Sequence, residues 1–265
     1  MSHRHPIADH EYRQSLGLSQ STLKGFADCP ARVLHLESEA KKPPTPAQAL
    51  GLLTEAKLFG IAFEYAVSPF DSFRTNEAKD WRAKQVANHV TVITQDADEK
   101  SSAMVAALRA NPTIAQLISR GRASTALWQP DQATGLIKRG LLDFVPETQF
   151  ILDLKTCSDA SEHGFARQAA SLGYDIQDAY YTDMFEAEFN ERRRFVFICV
   201  ESEAPFLTAT WTIPTDHQQI AREKIRLWLD AYKRCQDSGS WPSYTSAITE
   251  LRMPKYSEFV QPVQV

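Results

Sequence analysis

The chain has 265 residues, with 33 acidic and 29 basic side chains, a formal net charge of -4 and 43% hydrophobic residues. This composition is typical of a soluble globular protein that is long enough to bury a substantial core in one large domain. The longest apolar run, FVFICV at 195–200, is far shorter than the about 20 residues of a transmembrane helix, so we expect no membrane partner. The N-terminus has no secretion signal, and we expect a cytoplasmic location.

The N-terminal part of the chain is predicted to be polar and then helical. We expect residues 1–17 to form a flexible arm and residues 18–265 to form a single domain. A helix is predicted in 18–37, with Ser19 or Ser21 as its cap and Pro30 forcing a break or a restart.

The next predicted helix covers 49–67 and is apolar on much of its circumference, which is typical of a buried helix. Glu55 lies within it. A buried carboxylate is costly unless it is paired or bound to a metal, so Glu55 is either a ligand or a residue on the exposed edge, where Glu64 is its rival.

Residues 77–120 are predicted to be mainly helical, with a short strand at 90–94 and a break at Pro112. From Ser124 the hydrophobic period changes from about 3.6 to about 2, which predicts strands. The predicted elements that follow are strands ending at Trp128, Val145 and Lys155, a helix at 171–189, strands at 192–202 and 207–213, and a helix at 221–239. This order predicts an α/β or α+β fold with a central mixed β-sheet.

The segment GLLDFVPETQFILDLKT, residues 140–156, carries the most informative pattern. A three-residue turn in its middle would place Asp143 directly opposite Asp153, and directly opposed residues share one face of a sheet. Asp153 and Lys155 are two residues apart, so they also project to one face. The spacing therefore predicts two carboxylates and one ammonium on one side of a hairpin whose other side is apolar core.

Two adjacent carboxylates repel each other unless a cation neutralises them, and a divalent metal does this well. Mg²⁺ prefers carboxylate and carbonyl oxygens, so Asp143, Asp153 and the carbonyl of Leu154 are candidate ligands, and Mn²⁺ is expected to substitute. Lys155 would hold or deprotonate an attacking water, or stabilise charge in the transition state. An isolated D-x-K triplet also occurs by chance as an ordinary charged pairing, so the hypothesis needs further residues.

Gln177 and Tyr181 supply a further pattern, because they are four residues apart on one face of a predicted helix. An amide and a phenol on one face can bind phosphates or orient Lys155. The alternative is that Tyr181 is a core aromatic and Gln177 a boundary residue.

Together these segments resemble the PD-(D/E)xK nuclease superfamily, in the branch of RecB-like and phage recombination exonucleases, and most closely the nuclease domain of the RecE (exonuclease VIII) type. LSQSTLKGFADCPAR is similar to the S-x-S-x-L-K-x-F-x-x-C-P signature, and LGLLTE occupies the place of the G-x-x-x-H/E helix. GLLDFV and ILDLKT resemble the two acidic motifs, GYDIQDAYY the Q-x-x-x-Y motif, and WPSYTSAITELRMPKY the terminal W-P-x-Y segment. The resemblance spans about residues 18 to 257.

The resemblance implies a restriction-endonuclease-like core, with a mixed sheet flanked by helices. Carried over to this chain, it makes Asp143 and Asp153 metal ligands, Lys155 the catalytic lysine, and Gln177 and Tyr181 the motif beside it. Mg²⁺ would be the cofactor.

Two positions depart from the RecE pattern. Glu55 stands where that branch usually has His, although other branches use Glu, so a metal ligand is kept. The basic residue often found two before the first Asp is Leu141 here, with Lys138 and Arg139 slightly earlier, so that one phosphate contact is lost or shifted.

The four cysteines show no C-x-x-C spacing, which favours free thiols. Related iron-sulfur nucleases use one early cysteine and a C-terminal cluster of three. Cys29 fits the first, but only Cys235 lies near the second, so no iron-sulfur cluster is expected.

The resemblance further implies a 5′ to 3′ exonuclease that acts on double-stranded DNA ends and leaves 3′ tails for phage-type recombination. It implies a homo-oligomeric ring, a single-strand annealing protein as partner, and the cytoplasm of a bacterial or phage-infected cell. An acidic chain can hold DNA only by segregating its charge. We therefore expect Lys24, Arg32, Lys138 and Arg139 to contact DNA, with Arg32 as the candidate for the 5′ phosphate.

Two alternatives remain open. The first is an endonuclease or exonuclease of the same superfamily, similar to Cas4 or RecB. The second is a nuclease-fold module that binds DNA or protein without hydrolysis. The presence of Asp143, Asp153 and Lys155 together weighs against the second, because a binding module needs none of them.

Overall fold

A six-stranded mixed β-sheet with helices on both faces forms the centre of the protein in the computed structural model. The structure describes residues 3–4, 11–12, 15–38, 43–70, 72–88 and 90–253. The strands are β1 (His3–Arg4), β2 (Tyr65–Val67), β3 (Thr91–Ile93), β4 (Gly121–Pro130), β5 (Ile137–Pro146), β6 (Phe150–Cys157), β7 (Arg194–Glu201) and β8 (Thr208–Trp211). The helices are α1 (Gln20–Asp28), α2 (Pro30–Ser38), α3 (Pro46–Phe59), α4 (Asn76–Ala87), α5 (Gln95–Ala110), α6 (Pro112–Leu117), α7 (Glu162–Leu172), α8 (Tyr174–Phe189) and α9 (Thr215–Ser238). No helix in this described part of the chain has an apolar stretch long enough to cross a membrane.

The sheet has the strand order β1-β4-β5-β6-β7-β8. Its neighbouring strands are antiparallel except β6 and β7, which are parallel. Parallel neighbours need a crossover connection, and here it consists of α7 and α8. The crossover packs α8 against the sheet, beside the strand that carries Asp153.

Each face of the sheet is covered by its own helices. We call the side packed under α1, α7, α8 and α9 the α8 face, and the side packed under α3, α5 and α6 the α5 face. Along β6, Ile151 belongs to the α8 face, whereas Leu152 and Leu154 belong to the α5 face. Asp153 and Lys155 share the α8 face with Ile151 by alternation. The predicted polar side of the hairpin is thus also covered, because the crossover helix packs over it.

Two predicted helices are shorter than expected, and a glycine lies at the shortened end of each. The helix predicted at 49–67 ends before Gly60, and its last residues form strand β2. The helix predicted at 171–189 begins instead at Tyr174, because Gly173 separates it from α7. Both glycines have positive φ, 69° at Gly60 and 63° at Gly173, which glycine adopts without the steric cost of a Cβ.

The described parts of the predicted N-terminal arm are packed on the sheet. Strand β1 pairs with β4, and Tyr12 is buried with its ring centroid 6.1 Å from that of Trp128. The Arg139 guanidinium donates to the carbonyls of Tyr12 and Ser15, which anchors this segment. The described residues of this segment are thus held on the sheet by an aromatic contact and a guanidinium, and the flexibility of the arm stays a prediction. Residues 1–2, 5–10 and 13–14 lie outside the described residues.

Candidate active site

The site lies where strands β5 and β6 separate. The two strands share one bridged pair, Phe144 with Leu152, which is the register that places Asp143 opposite Asp153. Beyond this pair the Leu154 amide donates to Oδ2 of Asp143 at 2.9 Å. The Asp143 side chain on β5 therefore accepts a hydrogen bond from a backbone amide of the neighbouring strand β6.

The backbone is irregular around Asp143. Leu142 and Phe144 are two residues apart but pack on opposite faces of the sheet, so the regular alternation of side chains breaks here. In the register of β4 with β5, Ser124 lies opposite Asp143 and has a φ of 51°. Such values are rare for residues with a side chain, and strained backbone of this kind clusters at functional sites.

Asp153 is the centre of the site and is only 2% exposed. Its Oδ1 accepts a hydrogen bond from Nε2 of Gln177 at 2.5 Å. Its Oδ2 lies 2.5 Å from Nζ of Lys155 in an ion pair, but makes no hydrogen bond of good geometry among the described residues. This buried oxygen could therefore still accept a hydrogen bond or bind a cation.

Lys155 is held as a cation. Burial lowers its pKa, but the carboxylates of Asp153 and Asp143 act in the opposite direction, and the net effect is a raised pKa. The ammonium therefore keeps its proton at neutral pH. Of the roles considered from the sequence, this arrangement favours charge stabilisation over proton abstraction.

Asp143 lies close to two other carboxylates, those of Asp153 and Glu55. Burial raises its pKa well above the ordinary value, and the neighbouring carboxylates of Asp153 and Glu55 add to the rise. Lys155 and the Leu154 amide oppose the shift but do not cancel it. A divalent cation would relieve this repulsion.

The residues present fit a divalent cation. Mg²⁺ is commonly bound by one or two carboxylates together with water and substrate phosphates, so Asp143 and Asp153 suffice as its protein carboxylates. The amide and carbonyl of one strand residue face the same neighbour, so the Leu154 carbonyl also faces the gap beside Asp143. In the described chain no three His, Cys, Asp or Glu side chains form a ready metal-binding cluster. Glu55, half-buried on α3, is close enough to influence Asp143, and its direct ligation stays a prediction.

Helix α8 presents Gln177 and Tyr181 to the site in different ways. Gln177 is buried and binds Asp153 directly, so it orients that carboxylate. Tyr181 is buried against Gly140, where an added Cβ would lie 3.0 Å from the tyrosine ring. Burial raises its pKa well above the ordinary value, with smaller contributions that include both aspartates. Tyr181 is thus a packed aromatic residue near the carboxylates.

Tyr174, which is not among the residues predicted from the sequence, lies directly beside Lys155. The Lys155 ammonium is 4.7 Å from the centroid of the Tyr174 ring and 5.9 Å from that of Phe197, distances that allow cation–π attraction. Nε2 of Gln168 donates to the Tyr174 hydroxyl at 3.1 Å. A sequence signal exists, because Tyr174 precedes Gln177 by three residues and therefore shares its helix face.

All four basic residues predicted to contact DNA have partners within the fold. Arg32 forms an ion pair with Asp28 and donates to the Tyr244 hydroxyl. Lys138 lies with its ammonium 5.7 Å from the Tyr180 ring centroid, and Arg139 binds the N-terminal segment. Each cation thus lies beside an intramolecular group that attracts it, and its contact with DNA stays a prediction.

Lys24 differs from the other three because it lies near the carboxylates of the site. Burial and the nearby Lys155 ammonium lower the pKa of Lys24 to about 8, against the effects of Asp175 and Asp153. Its ammonium donates to the carbonyl of Leu172 at 2.7 Å.

The two terminal motifs of the sequence pack on each other. The rings of Phe26 and Trp241 are 6.1 Å apart between centroids, and the amide of Ala31 donates to the carbonyl of Pro242 at 3.1 Å. The end of the W-P-x-Y segment, from residue 254, lies outside the described residues.

The separating strands of the mixed sheet bring together two aspartates and the lysine of a D-x-K motif, and the crossover helix adds a glutamine. This arrangement defines a PD-(D/E)xK nuclease fold. Residues 19–254 match the family model described as PDDEXK-like domain of unknown function (DUF3799), and the chain belongs to this family.

A solved structure agrees with this fold. A candidate exonuclease from Eubacterium rectale superposes with a TM-score of 0.68 at 12% identity, covering 95% of this chain and 97% of that chain. A phage-related exonuclease from Haemophilus somnus 129PT matches at a TM-score of 0.39 and 14% identity, covering 85% of this chain and 97% of that chain, and is too distant to support an argument. A comparison with curated proteins found no significant match.

Proposed function

We propose that the protein is a divalent-metal-dependent deoxyribonuclease that digests linear double-stranded DNA. The observation that supports this most strongly is the convergence of Asp143, Asp153, Lys155 and Gln177 at the point where β5 and β6 separate. A module that only bound DNA would have no use for a buried and a half-buried carboxylate beside a half-buried ammonium, since such a group of charges is costly to maintain.

In this proposal each residue of the site has a distinct role. Asp143 and Asp153 would hold the cation, with the Leu154 carbonyl as a further oxygen and Glu55 adding negative charge from α3. The cation, when bound, supplies Lewis acidity toward a phosphoryl oxygen and lowers the pKa of an attacking water. Lys155 stabilises the charge that develops on the scissile phosphate, and Gln177 keeps Asp153 oriented.

The polarity and the biological role rest on the resemblance to recombination exonucleases. We propose digestion from 5′ to 3′, with release of a 3′ tail to a single-strand annealing protein in a bacterial or phage-infected cell. A homo-oligomeric ring would explain processive digestion. Because the chain has a net charge of -4, binding to DNA ends must depend on segregated basic surface and should weaken steeply with salt.

The test compares linear duplex DNA, labelled at its 5′ or 3′ end, with closed circular duplex DNA, with Mg²⁺ and with chelator. We expect Mg²⁺-dependent loss of the linear substrate from its 5′ end and an intact circle. Asp153→Asn should remove the activity, whereas Asp80→Asn, at an exposed position on α4, should retain it. Cleavage of the circle would indicate an endonuclease, and binding without hydrolysis would indicate a non-catalytic module.

A further inference from the structure

Lys24 links the N-terminal helix α1 to the start of the helix that carries Gln177. Its ammonium donates to the carbonyl of Leu172 at 2.7 Å and contacts the carbonyl of Gly173 at 3.5 Å. Leu172 is the last residue of α7, and Gly173 is the residue at the α7–α8 junction. Its aliphatic chain covers Gly173, where an added Cβ would lie 2.9 Å from Cδ of Lys24.

The contact is favourable for a simple electrostatic reason. The last carbonyl groups of a helix have no partner within the helix and carry partial negative charge, so a lysine ammonium there both donates to them and interacts with the helix dipole. In the described residues no side chain caps the start of α8, since its N-cap position is Gly173. Lys24 thus adds a side-chain contact from α1 to this junction, beside the hydrogen bond from Gln168 to the Tyr174 hydroxyl.

The junction lies within about one helical turn of Tyr174 and Gln177, which contact Lys155 and Asp153. Tyr174 directly follows Gly173 and lies beside the Lys155 ammonium. Gln177 follows three residues later and binds Asp153. A shift of the junction would therefore move the contacts of both Lys155 and Asp153.

We infer that Lys24 is a positioning residue of the active site, which anchors the α7–α8 junction so that Tyr174 and Gln177 hold Lys155 and Asp153 in place. This inference rests on the proposed nuclease function. It replaces the expectation that Lys24 contacts a DNA phosphate, because the ammonium is already bound to backbone carbonyls within the fold.

The inference is tested with Lys24→Met, Lys24→Arg and the control Lys79→Met, which changes an exposed lysine on α4. The turnover of linear duplex DNA with Mg²⁺ should fall about 10-fold to 100-fold in Lys24→Met, as for other changes to residues that orient metal ligands. The KM and the affinity for duplex ends in Ca²⁺ should change less than about twofold, with an unchanged salt slope. Lys24→Arg should restore most of the turnover, because a guanidinium can also donate to the two carbonyls.

A second measurement needs neither metal nor DNA. Hydrogen exchange of the unliganded protein should become faster at the start of α8 in Lys24→Met but not in Lys79→Met, because the anchored junction is released. If Lys24→Met does not fold, Lys24→Gln is compared by the same criteria.

Two results would overturn the inference. Unchanged turnover and unchanged hydrogen exchange in Lys24→Met would show that the junction does not need the anchor. Weakened DNA affinity with a salt slope smaller by about one, and normal turnover of bound DNA, would make Lys24 a phosphate contact. Failure of the wild-type protein to hydrolyse DNA would instead contradict the proposed function, and the exchange measurement would still decide the role of Lys24 at the junction.

Discussion

Asp178 is a buried carboxylate whose charge state should control the pH dependence of stability. It lies on α8 with no exposed surface and faces α9. Nε2 of Gln218 donates to its Oδ2 at 3.0 Å, whereas its Oδ1 has no hydrogen-bond partner among the described residues. Burial raises its pKa from 3.8 to about 7, because Arg222 and Gln218 compensate only part of the cost of desolvation.

The sign of the effect follows from this raised pKa. Between pH 3.8 and about pH 7 the folded protein keeps a proton on Asp178 that the unfolded chain has released. The stabilising contribution of Asp178 is therefore complete below pH 3.8 and is lost as the pH rises through about 7. The free energy of unfolding should fall by about 1.4 kcal/mol per pH unit from this group, and by about 4 kcal/mol in total.

Asp178→Asn cannot ionise and should lack this dependence. We would measure urea unfolding by circular dichroism at several values from about pH 5 to about pH 8.5. The difference in unfolding free energy between the variant and the wild type should rise with pH up to about 7 and then stay level. An unmatched amide group in the variant would cost about 1–3 kcal/mol, but that offset is independent of pH.

Asp80→Asn, at an exposed position, is the matched control. The difference in unfolding free energy between this variant and the wild type should not change with pH. A pH-independent difference between Asp178→Asn and the wild type would refute the reasoning, because it would mean that Asp178 is ionised in the folded protein throughout this range.

Three further predictions concern the site and the N-terminal segment. Lys155→Ala should cleave bound DNA about a thousandfold more slowly yet bind duplex ends nearly normally in Ca²⁺, because one ammonium contributes little among many phosphate contacts; lost binding with normal turnover would make it a phosphate contact. Glu55→Gln should raise the Mg²⁺ concentration for half-maximal activity about 10-fold, as judged from metal titrations, and an unchanged titration would remove Glu55 from the site. Arg139→Met should lower the free energy of unfolding by about 2–3 kcal/mol, measured in urea, since it loses charged hydrogen bonds to Tyr12 and Ser15. The affinity of Arg139→Met for DNA should stay the same. A selective loss of DNA binding would support the role in DNA contact predicted from the sequence.

The part of the site that could be predicted from the sequence is the part that depends on local geometry. A three-residue turn and the pleat of the strands determine the register of Asp143 with Asp153, and the structure has this register. The spacing of Gln177 and Tyr181 likewise predicts a shared helix, which the structure confirms as α8.

The remaining features depend on partners that are distant in the sequence. The charge of Arg139 is evident in the sequence, but its carbonyl partners in the N-terminal segment are not. The contact of Lys24 with Leu172 joins residues 148 positions apart, so no local pattern predicts it. The helix predicted at 171–189 runs through Gly173, whereas in the structure Gly173 has a positive φ and separates α7 from α8.

The binding of a divalent cation by Asp143 and Asp153 is the central claim, and anomalous scattering from crystals soaked in Mn²⁺ tests it most directly. We expect an anomalous peak in the gap between β5 and β6, within about 2.5 Å of both carboxylates. The peak should be absent from crystals of Asp153→Asn prepared in the same way. A manganese site elsewhere in the molecule, or a peak at this position that survives in Asp153→Asn at full height, would contradict the account.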